Sequence, residues 1–208
     1  MNYGFTGEAK VGFGIVLRRI VATADFKLKC GIEVHKGETG GWIEKTSNLS
    51  DDAWVSDEAE VYGDAKVFGN ARVFDDAKAA GHSRIFGNAW IYGNANVCGN
   101  SMVFDDAEVY DDAEVSGDAW VFGDARVSGY ADICGDARVK TNKDFSVFKN
   151  TWSSFRWFTY TRSNKKWAVE CFHGTGEELI KKAYADSEKS GKCYEAIVKA
   201  QELIDSVL

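Results

Sequence analysis

The chain has 208 residues, a net charge of −7 at pH 7 and no proline. That length can bury a full core in one large or two modest domains, and the acidic balance works against bulk binding of nucleic acid or anionic membrane. Its five cysteines (Cys30, Cys98, Cys134, Cys171 and Cys193) are scattered, odd in number and form no C-x-x-C pair, which predicts free thiols in a reducing cytoplasm rather than a disulfide framework. No stretch approaches a membrane span, and MNYGFTGEAK has no basic region ahead of an apolar run, so a cytoplasmic protein without a membrane anchor is expected.

Residues 3–10 and 15–22 read as strands around Gly12 and Gly14, a hairpin. Residues 34–44 then lead into a periodic region. The first 46 residues are expected to act as a β-hairpin cap, because the open end of a stacked coil exposes unpaired strand edge.

From Ser47 to Lys140 the chain is written in sixes: sixteen hexads of the form A-x-V-x-G-D, without an insertion. Position one is Ala or Ser throughout, and position three is a larger aliphatic everywhere except Ala79. Alternating small-in, variable-out, aliphatic-in describes a short strand with one buried face. Gly and Asp at positions five and six tolerate turn and left-handed backbone angles. Strands this short bury nothing alone, so they must coil and stack.

The Ala-x-Val hexads resemble the hexapeptide-repeat family, which implies a left-handed parallel β-helix with three hexads per coil, hence about five coils. Gly stands one place later than is usual in that family, a subtype. A narrower resemblance rests on Phe5-Thr6-Gly7-Glu8, Leu17-x-Arg19-Ile20, Lys36-Gly37, Gly40-Gly41-Trp42-Ile43-Glu44 and the later Cys171-Phe172-x-Gly174-Thr175-x-Glu177-Glu178. These are similar to the leader and tail of the phage and prophage hexapeptide-repeat (YdcK-like) group, which implies a phage origin and brings no settled activity with it.

After Lys140 the period stops and aromatic residues crowd in. Residues 155–162 and 167–172 read as a hairpin turning at Ser163-Asn164. Thr175-Gly-Glu-Glu178 is a capping-box signature for a helix to about residue 187, with Leu179, Ile180, Ala183 and Tyr184 as its apolar face. A second helix over 192–207 would turn Tyr194, Ile197, Val198 and Ile204 inward. Residues 141–208 are thus a small α+β module, closing the far end of the coil or folding back along it.

Three hexads per coil sort the outward residues by side. The first side carries Phe68, Phe86, Phe104 and Phe122 in one column, with Trp120 beside it. So large an apolar stripe predicts a subunit interface in a homo-oligomer, a dimer or trimer, or cover by the C-terminal module. The second side mixes Arg72, Trp90, Tyr92, Tyr110 and Arg126, residue types that stack on flat ligands and pair with phosphate. The same residues could instead stack across coils and stiffen the prism. The third side reads as plain solvated surface.

His82, at a turn, is the weak catalytic candidate, since a histidine acts as general base in hexapeptide acyltransferases. The uninterrupted sides leave no excursion loop to build an acceptor pocket. The histidines (His35, His82 and His173) have no metal-ligand spacing with a Cys or a second His, so no metal and no cofactor is expected. The Asp pairs belong to corner turns. The function expected is therefore non-enzymatic: a phage-derived binding protein in the host cytoplasm, holding a host defence protein or a small nucleotide signal. The alternative is an acyltransferase-like enzyme using acyl-CoA.

Overall fold

A computed structural model describes residues 2–12, 14–29 and 31–207. The chain is mainly β and is built around a parallel β-solenoid of about five turns. Strands β1 (Tyr3–Gly12) and β2 (Ile15–Ala22) form the expected antiparallel hairpin, and β3 (Phe26–Lys27) pairs with β4 (Glu33–Val34). Strand β5 (Thr39–Ile43) follows, and then β6 to β20 recur every six residues from Trp54–Val55 to Arg138–Val139.

Each short strand pairs in parallel with the one eighteen residues later, so three sheets form three sides. The ladder runs in one direction: Trp90 N–H donates to Ala107 C=O at 3.0 Å and Tyr92 N–H to Val109 C=O at 3.0 Å. Position-one Ala and position-three aliphatics are buried to within a few per cent of completely along the whole coil. Small residues there let the three sides approach, and the aliphatics fill the axis.

The register extends one hexad further upstream than the Ala period shows. Trp42 and Ile43 pair with Glu60 and Val61, and Trp42 N–H reaches Ala59 C=O at 2.9 Å. Gly41 stands where later coils carry Ala because a Cβ there would lie 2.8 Å from Ala59 O. The first predicted hexad, in contrast, is not a strand: Thr46–Asn48 form a 3-10 turn. The Asn48 amide, fully buried, donates to Gly63 and Ala65 C=O, replacing the backbone donors that the turn withdraws.

The Asp corners explain the Asp pairs. Asp51, Asp75, Asp105 and Asp111 take positive φ of 57–60°, and each accepts from the N–H eighteen residues on, at 3.1–3.2 Å. Asn88 and Asn94 amides donate to Asp106 and Asp112 along these two corners, and Asn100 donates to Asp118 along the third, where Gly holds the positive φ.

At the N-terminal end, Ile20, Leu28 and Val34 are buried against the coil's core. At the other end lies a four-stranded antiparallel sheet: β21 (Phe145–Lys149), β22 (Trp157–Thr161), β23 (Lys166–Val169) and β24 (Phe172–Gly174). Phe145 and Val147 lie against the last turn of core. Of the two arrangements open in the sequence, the module closes the end. The last coil's outward-aimed N–H groups find side-chain oxygens there: Arg126 on Asn142, Asp132 on Thr159, Arg138 on Ser163 and Lys140 on Asp144, at 2.7–2.9 Å. All three sides are thus capped.

Helices α1 (Gly176–Asp186) and α2 (Glu188–Val207) pack on this sheet around Phe158, Trp167, Leu179, Tyr194 and Val198. The Thr175–Glu178 capping box is present in full. Helix α2 starts at Glu188 rather than 192 because Ser187 serves both helices: its N–H bonds Ala183 C=O and its Oγ accepts from Ser190 N–H. Two inward expectations fail. Tyr184 and Ile204 are exposed, and Gln201 occupies the buried place on α2.

Candidate functional site

The second side is a ladder of interlocked rings and charges. Phe74, Tyr92 and Tyr110 stack with parallel planes, their centroids 4.9 Å apart, as strand spacing demands of residues eighteen apart. Trp90 meets Phe74 edge to face. Arg72 lies over Phe74 at 4.6 Å and over Trp90 at 5.5 Å. Arg126 pairs with Glu108 at 3.1 Å, and Glu108 also accepts from the Tyr92 hydroxyl at 3.0 Å. Burial first, and then that bond to a carboxylate, push the Tyr92 phenol up to about 12. All five residues therefore lie on one side of the coil, with Tyr92 and Arg126 meeting at Glu108 and Arg72 resting on the rings of Phe74 and Trp90. A hollow beside them is lined by Trp90, Asn88, Asp106, Glu108 and Lys29 of the β3–β4 loop. The N-terminal block covers Trp54 with Phe26, edge to face at 5.5 Å, which leaves Trp90 as the half-exposed indole of this side.

On the first side Phe68, Phe86, Phe104 and Phe122 stack at 4.9–5.2 Å with interplanar angles of 3–7°. Each ring covers its neighbour's face, so all four are half-buried with their edges outward. Trp120 meets Phe104 edge to face, and Arg138 sits over the Trp120 ring at 4.2 Å.

No family model matches the chain, and no curated protein matches it.

His82 sits exposed at a corner, its Nδ1 3.6 Å from Asp64 Oδ2, and Lys45 bonds the same carboxylate group at 2.7 Å. Lys45 first, then His82 and Lys66, hold Asp64 below the usual carboxylate range. The arrangement offers a histidine within ion-pair distance of a carboxylate, exposed and without an enclosing wall.

The third side is not plain surface. It continues into β2 and β5 at one end, Ala80 and Cys134 are buried, and its last strand, β19 (Asp132–Ile133), touches β22 and β23. There Asp132, Cys134 and His173 converge, with one ligand atom from each within 4.8 Å of the others. Burial pushes the Asp132 carboxyl up against the pull of His173, and burial with Asp132 alongside raises the Cys134 thiol to about 12. Spacing could not reveal this group, since His173 arrives from another unit. Among the described residues Cys98, Cys134, Cys171 and Cys193 are free thiols, and no helix is long and apolar enough to cross a membrane.

Proposed function

We propose that this is a non-enzymatic binding protein of phage origin, working in the host cytoplasm as a homo-oligomer that holds a host protein. The observation that carries the reading is the pair of uninterrupted aromatic faces. A flat, rigid sheet that presents Phe edges along one column and a Trp–Tyr–Arg ladder along the next suits contact with another protein surface, where aromatic and Arg residues concentrate binding energy. The leader and tail motifs support the phage origin by their resemblance. A nucleotide signal is the weaker occupant: in the hollow at Trp90 two carboxylates, Asp106 and Glu108, stand beside a single lysine, and phosphate would meet repulsion there. The acyltransferase alternative rests on His82 alone.

Light scattering of the chain at micromolar concentration tests the assembly. The expected mass is a dimer or trimer, and Phe104→Glu, which puts a charge in the middle of the column, should return the monomer without unfolding it. A monomeric wild-type chain would remove the subunit role of Phe68, Phe86, Phe104, Trp120 and Phe122. Trp90→Ala separates the roles of the second side. A purely stiffening residue loses about 1 kcal/mol or less of stability and leaves partner retention intact, whereas a contact residue loses retention by far more.

A further inference from the structure

We infer that Asp132, Cys134 and His173 form a zinc site that joins the last coil of the solenoid to the C-terminal sheet. Asp132 and Cys134 are hexad positions two and four, so strand alternation sends both side chains out of the same face. His173 is the central residue of β24 and comes from the neighbouring sheet. Both strands are held by backbone ladders, β19 by the strand Glu114–Val115 and β24 by β23. The junction between them is pinned by the Asp132 N–H to Thr159 Oγ1 bond of 2.9 Å. The donors thus stand on rigid elements, the condition a metal site needs.

His173 Nε2 lies 3.5 Å from Asp132 Oδ2, and all three ligand atoms fall within 4.8 Å of one another. Zinc bonds of about 2.0–2.3 Å in a tetrahedron place donors roughly 3.3–3.8 Å apart, so small side-chain rotations close the set. Apart from His173, no group among the described residues donates a hydrogen bond to the Asp132 carboxylate, and Cys134 is 6% exposed. One sulfur, one imidazole nitrogen and one carboxylate oxygen are the donor types zinc takes, and calcium and magnesium prefer oxygen alone. Three protein ligands leave a fourth position for water or for an incoming group. Glu114, paired with Asp132 one coil earlier, is the carboxylate on the same column that could fill it.

The test is cobalt and zinc titration of the full-length chain after stripping with a chelator. Expected are one equivalent of Co2+ with a thiolate-to-cobalt charge-transfer band and strong tetrahedral d–d absorption, displacement by Zn2+, and a melting temperature that rises with Zn2+. Cys134→Ala and His173→Gln should each abolish the charge-transfer band or weaken cobalt binding at least tenfold, while Cys171→Ala leaves both unchanged. His173 is surface-exposed, so its variant stays folded even if Cys134→Ala does not. Failure of the stripped wild-type chain to bind cobalt, or a band that survives both His173→Gln and Cys134→Ala, would overturn the proposal.

Discussion

At the scale of single residues, the corner positions show how closely the coils are stacked. Gly99 and Gly129 both hold positive φ, 71° and 64°. A Cβ on Gly99 would lie 2.8 Å from the backbone N and O of Gly117, whereas one on Gly129 would meet nothing within 4 Å, because the stack ends there. Replacement by Ala puts the same backbone strain, of order 1–2 kcal/mol, on both. Only Gly99→Ala adds the collision with the next coil. Urea unfolding should show Gly99→Ala losing at least about 1 kcal/mol more than Gly129→Ala. Equal losses would mean that the third corner is looser than its geometry. Asp replaces Gly at other corners because its carboxylate caps the next coil's N–H, a gain that offsets the strained φ.

At the scale of elements, α2 is tied to β22 through one carboxylate. Asp205 accepts from Tyr160, from Arg162 Nε at 2.9 Å and from Gln201 Nε2 at 2.8 Å. Burial raises its pKa, but these three donors outweigh it and hold Asp205 below its ordinary 3.8. A carboxyl depressed in the folded state contributes stability that is fully present above the unfolded pKa and is lost as pH falls through the folded value. The stability gap between wild type and Asp205→Asn should therefore be constant near neutrality and shrink as pH drops below about 4. Fluorescence of Trp167, buried beside Tyr160 at 4.9 Å between centroids, follows the module's unfolding. A gap independent of pH would remove the role of the Asp205 charge.

At the scale of the molecule, the danger of a solenoid is its ends, where a row of unpaired N–H groups invites another strand. The C-terminal module answers with side-chain oxygens on all three sides, and two of them differ in exposure. Thr159 is 1% exposed, so Thr159→Val strands the Asp132 N–H away from water and should cost about 1–2 kcal/mol. The Ser163 contact is exposed; water replaces the hydroxyl in Ser163→Ala, and the loss should stay within about 0.5 kcal/mol. Denaturant midpoints of the two variants check the order. The reverse order would place the dry junction on the wrong side.

The stacked short strands and their inward positions were legible in the sequence, because a six-residue period with small and aliphatic positions repeats the same local choice many times over and every coil reinforces it; the three sides, and hence the residues on each, came from the family resemblance. The hairpin of residues 3–22 and the Thr175 capping box were legible for the same reason, each being a local signal. What only the tertiary structure decided lies where the period breaks or where distant segments meet. Gly41 hides an earlier hexad because a close backbone approach excludes Ala there. Asn48 turns inward because a 3-10 turn leaves two carbonyls without donors. The pairing of Arg126 with Glu108, and of Arg72 with Phe74 and Trp90, depended on rotamers that a column of letters does not carry. Above all, His173 reaches Asp132 and Cys134 through the docking of two separately ordered units, a contact set by the shape of the coil's end and by no spacing along the chain.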